Sequence, residues 1–156
     1  MIVNKLYFLT STLLLSLAYF GLSSSVLKEV DSKKHLISDE NQDKTNLQKS
    51  INRGKEIYSD FCVQCHLANG KGDLVNFPPL DGSDWLFKKR KQSIHAIKYG
   101  QTGVIIVKGK KFNNIMPGLG LENQEVADVM NYIMNSWSNK QNKMVTVEEV
   151  KAILKI

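Results

Sequence analysis

The segment Cys62-Val63-Gln64-Cys65-His66 contains both cysteines of the chain and one of its three histidines. Two residues between the thiols let one helical turn present both sulfurs to neighbouring positions, and an imidazole follows directly. That spacing suits two thioether bonds to the vinyl groups of a haem, with the histidine bound to the iron. Three other chemistries use related spacings. A structural zinc site needs four closed ligands, and after these three residues only His35 and His95 remain, neither with a paired spacing. A thioredoxin-like pair expects a βαβ pattern around it, and none is visible. A plain disulfide between Cys62 and Cys65 closes too little chain to stabilise much. Haem attachment ranks first, with zinc and thiol redox behind it.

Helices must position these residues. Ile51, Gly54, Ile57, Tyr58 and Phe61 recur at helical spacing and lead directly into the first cysteine. Gly54 costs such a helix ~1 kcal/mol against alanine. Close approach of another helix is a reason to tolerate it; an unoptimised surface glycine is the alternative. A second helix is expected over 124–137, where Val126, Val129, Met130, Ile133, Met134 and Trp137 form an apolar stripe. Glu122 or Asn123 caps its start, and Glu125 favours its first turn. Met130 and Met134 are sulfur ligands by type, but their place on the stripe assigns them to packing. A short helix is expected over 93–99 with Ile94 and Ile97 inward and His95 off that face.

Between the helices the chain is rich in turns. Asn69-Gly70-Lys71-Gly72-Asp73 is a turn cluster, and Phe77-Pro78-Pro79-Leu80 reads as extended. Residues 104–107 and 111–115 flank Lys108-Gly109-Lys110 in the manner of a small hairpin. Met116-Pro117-Gly118 follows, fifty residues beyond His66. A methionine in such a loop is better placed to ligate than one on a helical stripe.

The ends have a different character. Lys5, the apolar run 6–22 and Ser23-Ser24-Ser25 follow the order of a secretory signal, with Gly21 and Ser23 at the −3 and −1 positions. The competing reading is an uncleaved anchor, because residues 6–27 carry no charge and roughly 20 residues span a bilayer. Residues 26–49 are polar, contain His35, and read as a linker unable to bury enough surface to fold. The expected organisation is a signal or anchor over 1–25, this linker, a domain over 50–139 and a tail over 140–156. Thr146 and Glu149 have capping-box spacing, so the tail should carry a short helix docked on the domain or on a partner. At 156 residues and 42% hydrophobic content, one domain with a packed core is feasible. No internal repeat is visible, so one haem per chain is expected.

From about residue 50 to residue 137 the chain resembles bacterial class I c-type cytochromes. The resemblance rests on the helix with Gly54 and Tyr58, the Cys62–His66 motif, Asn69-Gly70-Lys71-Gly72 and Pro78-Pro79-Leu80. Trp85, Thr102-Gly103, Met116-Pro117-Gly118 and the last helix with Tyr132 and Trp137 complete it. Small monohaem cytochromes that serve or are fused to reductases, oxidases and quinoprotein dehydrogenases are similar. The resemblance implies an all-α cytochrome c fold, with three to four helices and long loops around one covalent haem c. It implies Cys62 and Cys65 as attachment points, His66 and Met116 as axial ligands, and Pro78 as the carbonyl that fixes the His66 ring. Leu80 would pack on the haem, Trp85 near its propionates, and Gly54 would let the first and last helices cross near Tyr132. Val104 departs from the family pattern, which often has proline there.

Two filled axial positions imply a one-electron carrier, with no acid–base pair or nucleophile in view and so no enzyme. A permanent haem subunit of a dehydrogenase, nitrite reductase or oxidase is the alternative. Net charge is +6, yet from Trp85 to Leu121 eight basic residues run without an acid: Lys88, Lys89, Arg90, Lys91, Lys98, Lys108, Lys110 and Lys111. The remaining chain, with 13 basic and 15 acidic residues, is net −2. Redox proteins are the expected partners, docking on the basic 88–111 stretch; a solvated lysine face is the plainer reading. Nucleic acid is not expected, since no basic–aromatic stacking pattern is present. Either reading of the first 27 residues places the domain outside the cytoplasm, in the periplasm, free or tethered to the membrane.

Overall fold

In the computed structural model, residues 41–155 are described. The signal or anchor over 1–25 and most of the linker, with His35, lie outside the described residues. The chain divides into two compact units between residues 44 and 45, and the elements that build the core belong to the second.

Among the described residues, helix α1 takes in 41–61. The last nine residues expected as linker are therefore helical. Asn41, Gln42, Asp43, Lys44, Gln48 and Lys49 are all exposed, so this stretch is continued from the helix below it and buries little. A nucleated helix extends at low cost once its first turns are paid for by packing. From Ser50 on, α1 turns one face inward, with Ser50 at 1% and Tyr58 at 2% exposure.

Five further helices occur among the described residues, more than the sequence suggested, because several are single turns. They are α2 (Val63–His66), α3 (Asp84–Lys88), α4 (Arg90–Tyr99), α5 (Asn123–Ile133) and α6 (Val147–Lys151). Four short strands make two antiparallel ladders. β1 (Gly100–Gln101) pairs with β4 (Met116–Pro117), and β2 (Ile105–Val107) pairs with β3 (Lys110–Phe112). The hairpin is tighter than residues 104–115 implied. Its turn is Lys108-Gly109, with φ of 50° and 76°, a two-residue turn whose twist matches that of the strands.

Gly54 is where α1 meets α5. A Cβ built there would lie 2.0 Å from the Asp128 carbonyl oxygen and 2.9 Å from Tyr132 Cβ. No side chain fits, and the two backbones touch. Buried polar groups secure the contact. Asp128 accepts from Ser50 Oγ at 2.5 Å and from Arg53 Nε and Nη2 at 2.6 and 2.7 Å. Asn131 donates to Ser50 Oγ and to the Val145 carbonyl and accepts from the Val145 amide. Such groups are costly to bury unless paired, and here each has its partners.

The α5 stripe packs as its period predicts, with Val126, Val129, Met130 and Met134 essentially inaccessible. Glu125 accepts from the Glu122 amide at 2.8 Å and fixes the first turn. The helix ends at Ile133, four residues earlier than expected. Trp137 has φ of 56°, and its indole leaves the helical path to pack on Gly70, Tyr58 and Tyr132 while Nε1 donates to the Ala68 carbonyl at 3.0 Å.

The tail folds back on the domain. Thr146 Oγ1 caps α6 by accepting from the Glu149 amide, and Val145 and Val150 are fully buried. α6 packs on α5, and Val145, Val150 and Ile153 join the same core as the helices before them.

The candidate haem cavity

His66 ends α2 and is buried. Its surroundings are set by the chain just before and just after it. The His66 amide donates to the Cys62 carbonyl at 2.9 Å, and its carbonyl accepts from Gly72 at 3.0 Å. The Tyr58 hydroxyl donates to the Leu67 carbonyl at 2.8 Å, tying the end of α2 back to α1. The loop beyond then returns. Leu80 and Asp81 both donate to the Gly70 carbonyl, and Asp73 gathers the amides of Val75, Asn76 and Phe77 on one carboxylate oxygen. Those three bonds hold the Asp73 carboxyl well below the usual carboxylate range.

The return brings the Pro78 carbonyl to 3.0 Å from His66 Nδ1. A carbonyl only accepts, so Nδ1 carries the proton and Nε2 keeps the lone pair. Burial lowers the His66 pKa, and the bond to Pro78 partly offsets that. The ring is therefore held neutral and oriented, as a metal-binding imidazole requires.

His66 lines a cavity with an empty volume of about 1170 Å³, its open mouth included. Every site residue singled out in the sequence lines it: Cys62, Cys65, His66, Pro78, Leu80, Trp85 and Met116. Both cysteines are free. Burial, with Cys65 close by, pushes the Cys62 thiol up to about 11, the reverse of what a thiol-exchange pair needs. Among the described residues, no three His, Cys, Asp or Glu side chains cluster as a metal site.

Met116 reaches this cavity from β4, opposite Gln101 in the ladder with β1. Met130 and Met134 stay in the core and do not line it. His95 does not line it either; it is half-buried on α4 beside Tyr99.

Other lining residues were missed by motif reading. Ile105, Val107 and Phe112 point inward from the hairpin, and Ile97 from α4. Their signal was the alternation along β2, where half-buried Ile105 and buried Val107 flank exposed Ile106. The lining is overwhelmingly apolar. An apolar cleft beside two thiols, an oriented neutral imidazole and a thioether fits a haem by its lining and by its donor chemistry.

The cytochrome c family profile matches residues 51–137, more than half of the chain. The chain belongs to the cytochrome c family. Its cofactor is accordingly a covalently bound haem c, and its chemistry is electron transfer. The cytochrome is 38% identical over 109 residues to cytochrome c-552 of Thermus thermophilus, covering 64% of this chain and 82% of that protein. It is 28% identical over 130 residues to the cytochrome c subunit of a quinone-type alcohol dehydrogenase of Gluconobacter oxydans, covering 80% of this chain but 27% of that subunit. The cytochrome c subunit of gluconate 2-dehydrogenase of Pantoea cypripedii is 31% identical over 109 residues, covering 65% of this chain and 24% of that subunit. The cytochrome thus spans about a quarter of the dehydrogenase subunits and most of the Thermus protein.

The basic stretch needs one correction. Arg90 and Lys98 are engaged within the chain. Arg90 grips both Glu149 carboxylate oxygens, and Lys98 donates to the Val150 and Ile153 carbonyls. Sequence order cannot show such pairing across more than fifty residues. The other six basic side chains of the stretch belong to exposed residues.

Proposed function

We propose that this cytochrome is a one-electron carrier of a periplasmic respiratory chain, not an enzyme. In this reading Cys62 and Cys65 would hold the haem covalently, and His66 and Met116 would be the ligands of its iron. The haem, when bound, supplies the Fe(III)/Fe(II) couple. The chain supplies the rest. Pro78 holds the His66 ring in one tautomer, and the thioether of Met116 favours ferrous iron and raises the potential. Leu80, Trp85 and the hairpin residues exclude water, which disfavours the extra positive charge of the ferric state. The carrying observation is that His66, already hydrogen-bonded through Nδ1 to Pro78, shares one apolar cavity with both cysteines and Met116.

Export rests on the signal-like or anchor-like order of residues 1–27. Among the described residues, no helix is long and apolar enough to cross a membrane. Redox proteins would dock through exposed Lys88, Lys89, Lys91, Lys108, Lys110 and Lys111, with charge mainly speeding encounter. The likeness to dehydrogenase cytochrome subunits supports a second reading, a haem subunit held permanently by one enzyme; co-purification of a stoichiometric partner at high salt would favour it.

The test is a spectrum and redox titration of the holoprotein, native and Met116→Ala. The expected result is covalent haem, no carbon monoxide binding by the native ferrous protein, and a lower potential with carbon monoxide binding in the variant. Ready binding by the native protein, unchanged in spectrum and potential by the substitution, overturns the carrier reading.

A further inference from the structure

The last residues of the chain lie beyond the family match, which ends at 137, and they grip helix α4 at both ends. At its start, Arg90 donates to the two Glu149 carboxylate oxygens at 2.7 and 2.8 Å and to the Met144 carbonyl at 3.0 Å. At its end, Lys98 Nζ donates to the carbonyls of Val150 and Ile153 at 3.0 and 3.1 Å. The Tyr99 hydroxyl donates to the same Ile153 carbonyl at 3.1 Å.

The chain leaves Tyr99 directly into β1, whose Gly100 and Gln101 pair with Pro117 and Met116. The approach is close. A Cβ on Gly100 would lie 2.8 Å from the Met116 carbonyl oxygen, and one on Gly118 would lie 3.1 Å from the Tyr99 carbonyl carbon. The backbone from Tyr99 to Gln101 therefore follows directly on the side chains the tail holds and is itself the bed on which Met116 lies. A ladder of two residue pairs has little stability of its own. What steadies it must come from outside it.

We infer that Lys98 and Tyr99 are positioning residues for Met116. By binding the end of α4 to the Val150 and Ile153 carbonyls they hold β1 in place, and β1 holds Met116 in the cavity against competing ligands. The C-terminal tail is thus a retention clamp for the distal methionine. This rests on Met116 being the axial ligand proposed above. Local opening is drawn from the least supported segments of a fold, and releasing the tail moves the Met116 segment into that class without unfolding α5.

The test is titration of the ferric holoprotein with imidazole, which competes with methionine for the iron. The variants are Tyr99→Phe, Lys98→Gln, and a chain ending at Ala152 that lacks the Ile153 carbonyl. The expected result is a rise in imidazole affinity of roughly two- to tenfold for each hydrogen bond lost. The far-red methionine-to-iron band should bleach at correspondingly lower imidazole, with helix content by circular dichroism unchanged. Leu154→Ser, at a residue 74% exposed, is the control and should leave the affinity unchanged. Tyr99→Phe is conservative enough to fold even if the shortened chain does not. A lower unfolding midpoint with unaltered imidazole affinity in Tyr99→Phe and Lys98→Gln overturns the inference. A native protein that lacks the methionine band, or whose band survives Met116→Ala, overturns the ligand assignment instead.

Discussion

His66 and Met116 line one cavity but hang from different supports. His66 ends a helical turn rooted in the α1–α5 contact, where Gly54 meets the backbone of Asp128 and Tyr58 is buried to 2%. Met116 sits in a two-residue strand next to Ile115, which is 69% exposed. One side is anchored in the buried core, the other in a ladder whose stability is borrowed from its neighbours. A redox protein gains from this inequality. With the ligands proposed above, the thiol and imidazole side would stay fixed while the methionine side would set how firmly the iron is closed to other ligands.

The sharpest way to break the comparison is a pair of glycine substitutions. Gly54→Ala places a methyl where the Asp128 carbonyl stands at 2.0 Å. It should cost about 3 kcal/mol or more of global stability, at the upper end for overpacking, read as a lowered denaturant midpoint of the holoprotein. The methionine band in the remaining folded fraction should persist. Gly100→Ala should behave in the opposite way. With φ of 93° and a contact at 2.8 Å to the Met116 carbonyl oxygen, it should cost about 1–3 kcal/mol. The loss should appear first in the methionine band, before the helices melt. Equal effects of both substitutions on global stability and band would show that the two sides are one cooperative unit.

The smallest effect is expected at the tail, and it depends on pH. Arg90, through its hydrogen bonds and charge, holds the Glu149 carboxyl below its ordinary range. A depressed carboxylate contributes stability above its unfolded pKa and loses it as pH falls. The contribution should be complete above roughly pH 5, erode through the ordinary glutamate value near ~4.3, and vanish below the native one. Because Glu149 is partly exposed, with 27% of its side chain accessible, the pair is screened and worth ~1 kcal/mol or less. Glu149→Gln should lower the melting temperature at neutral pH and flatten its acid dependence between the two values. Identical acid profiles for the native protein and the variant would remove this ion pair from the account of the tail.

Much of this architecture is visible in the residues. The cysteine and histidine spacing, the proline pair and the Met-Pro-Gly turn mark the cavity because their chemistry depends on local sequence. The α5 stripe and Gly54 are legible for a similar reason, since helical period and a missing Cβ leave traces in a single chain. What stays hidden depends on pairing at long range. The β1–β4 ladder is too short for alternation to show, and α3 is a single turn. Nothing in the order of the basic residues shows that Arg90 and Lys98 are bound to the tail while the other six are exposed. The polar composition of residues 41–49 hid a helix because its support comes from the packed turns after it.

The crossing at Gly54 also constrains the order in which the protein can be made. Arg53 and Asp128, which meet there, are 75 residues apart in the chain. Closing a loop of that length costs about 4 kcal/mol of chain entropy, so contacts of this range form late and slowly. Cys62 lies inside the loop and is only 8% exposed once it closes. The turn that carries Cys62, Cys65 and His66 is closed by the local bond from the His66 amide to the Cys62 carbonyl, so it can form before that crossing does.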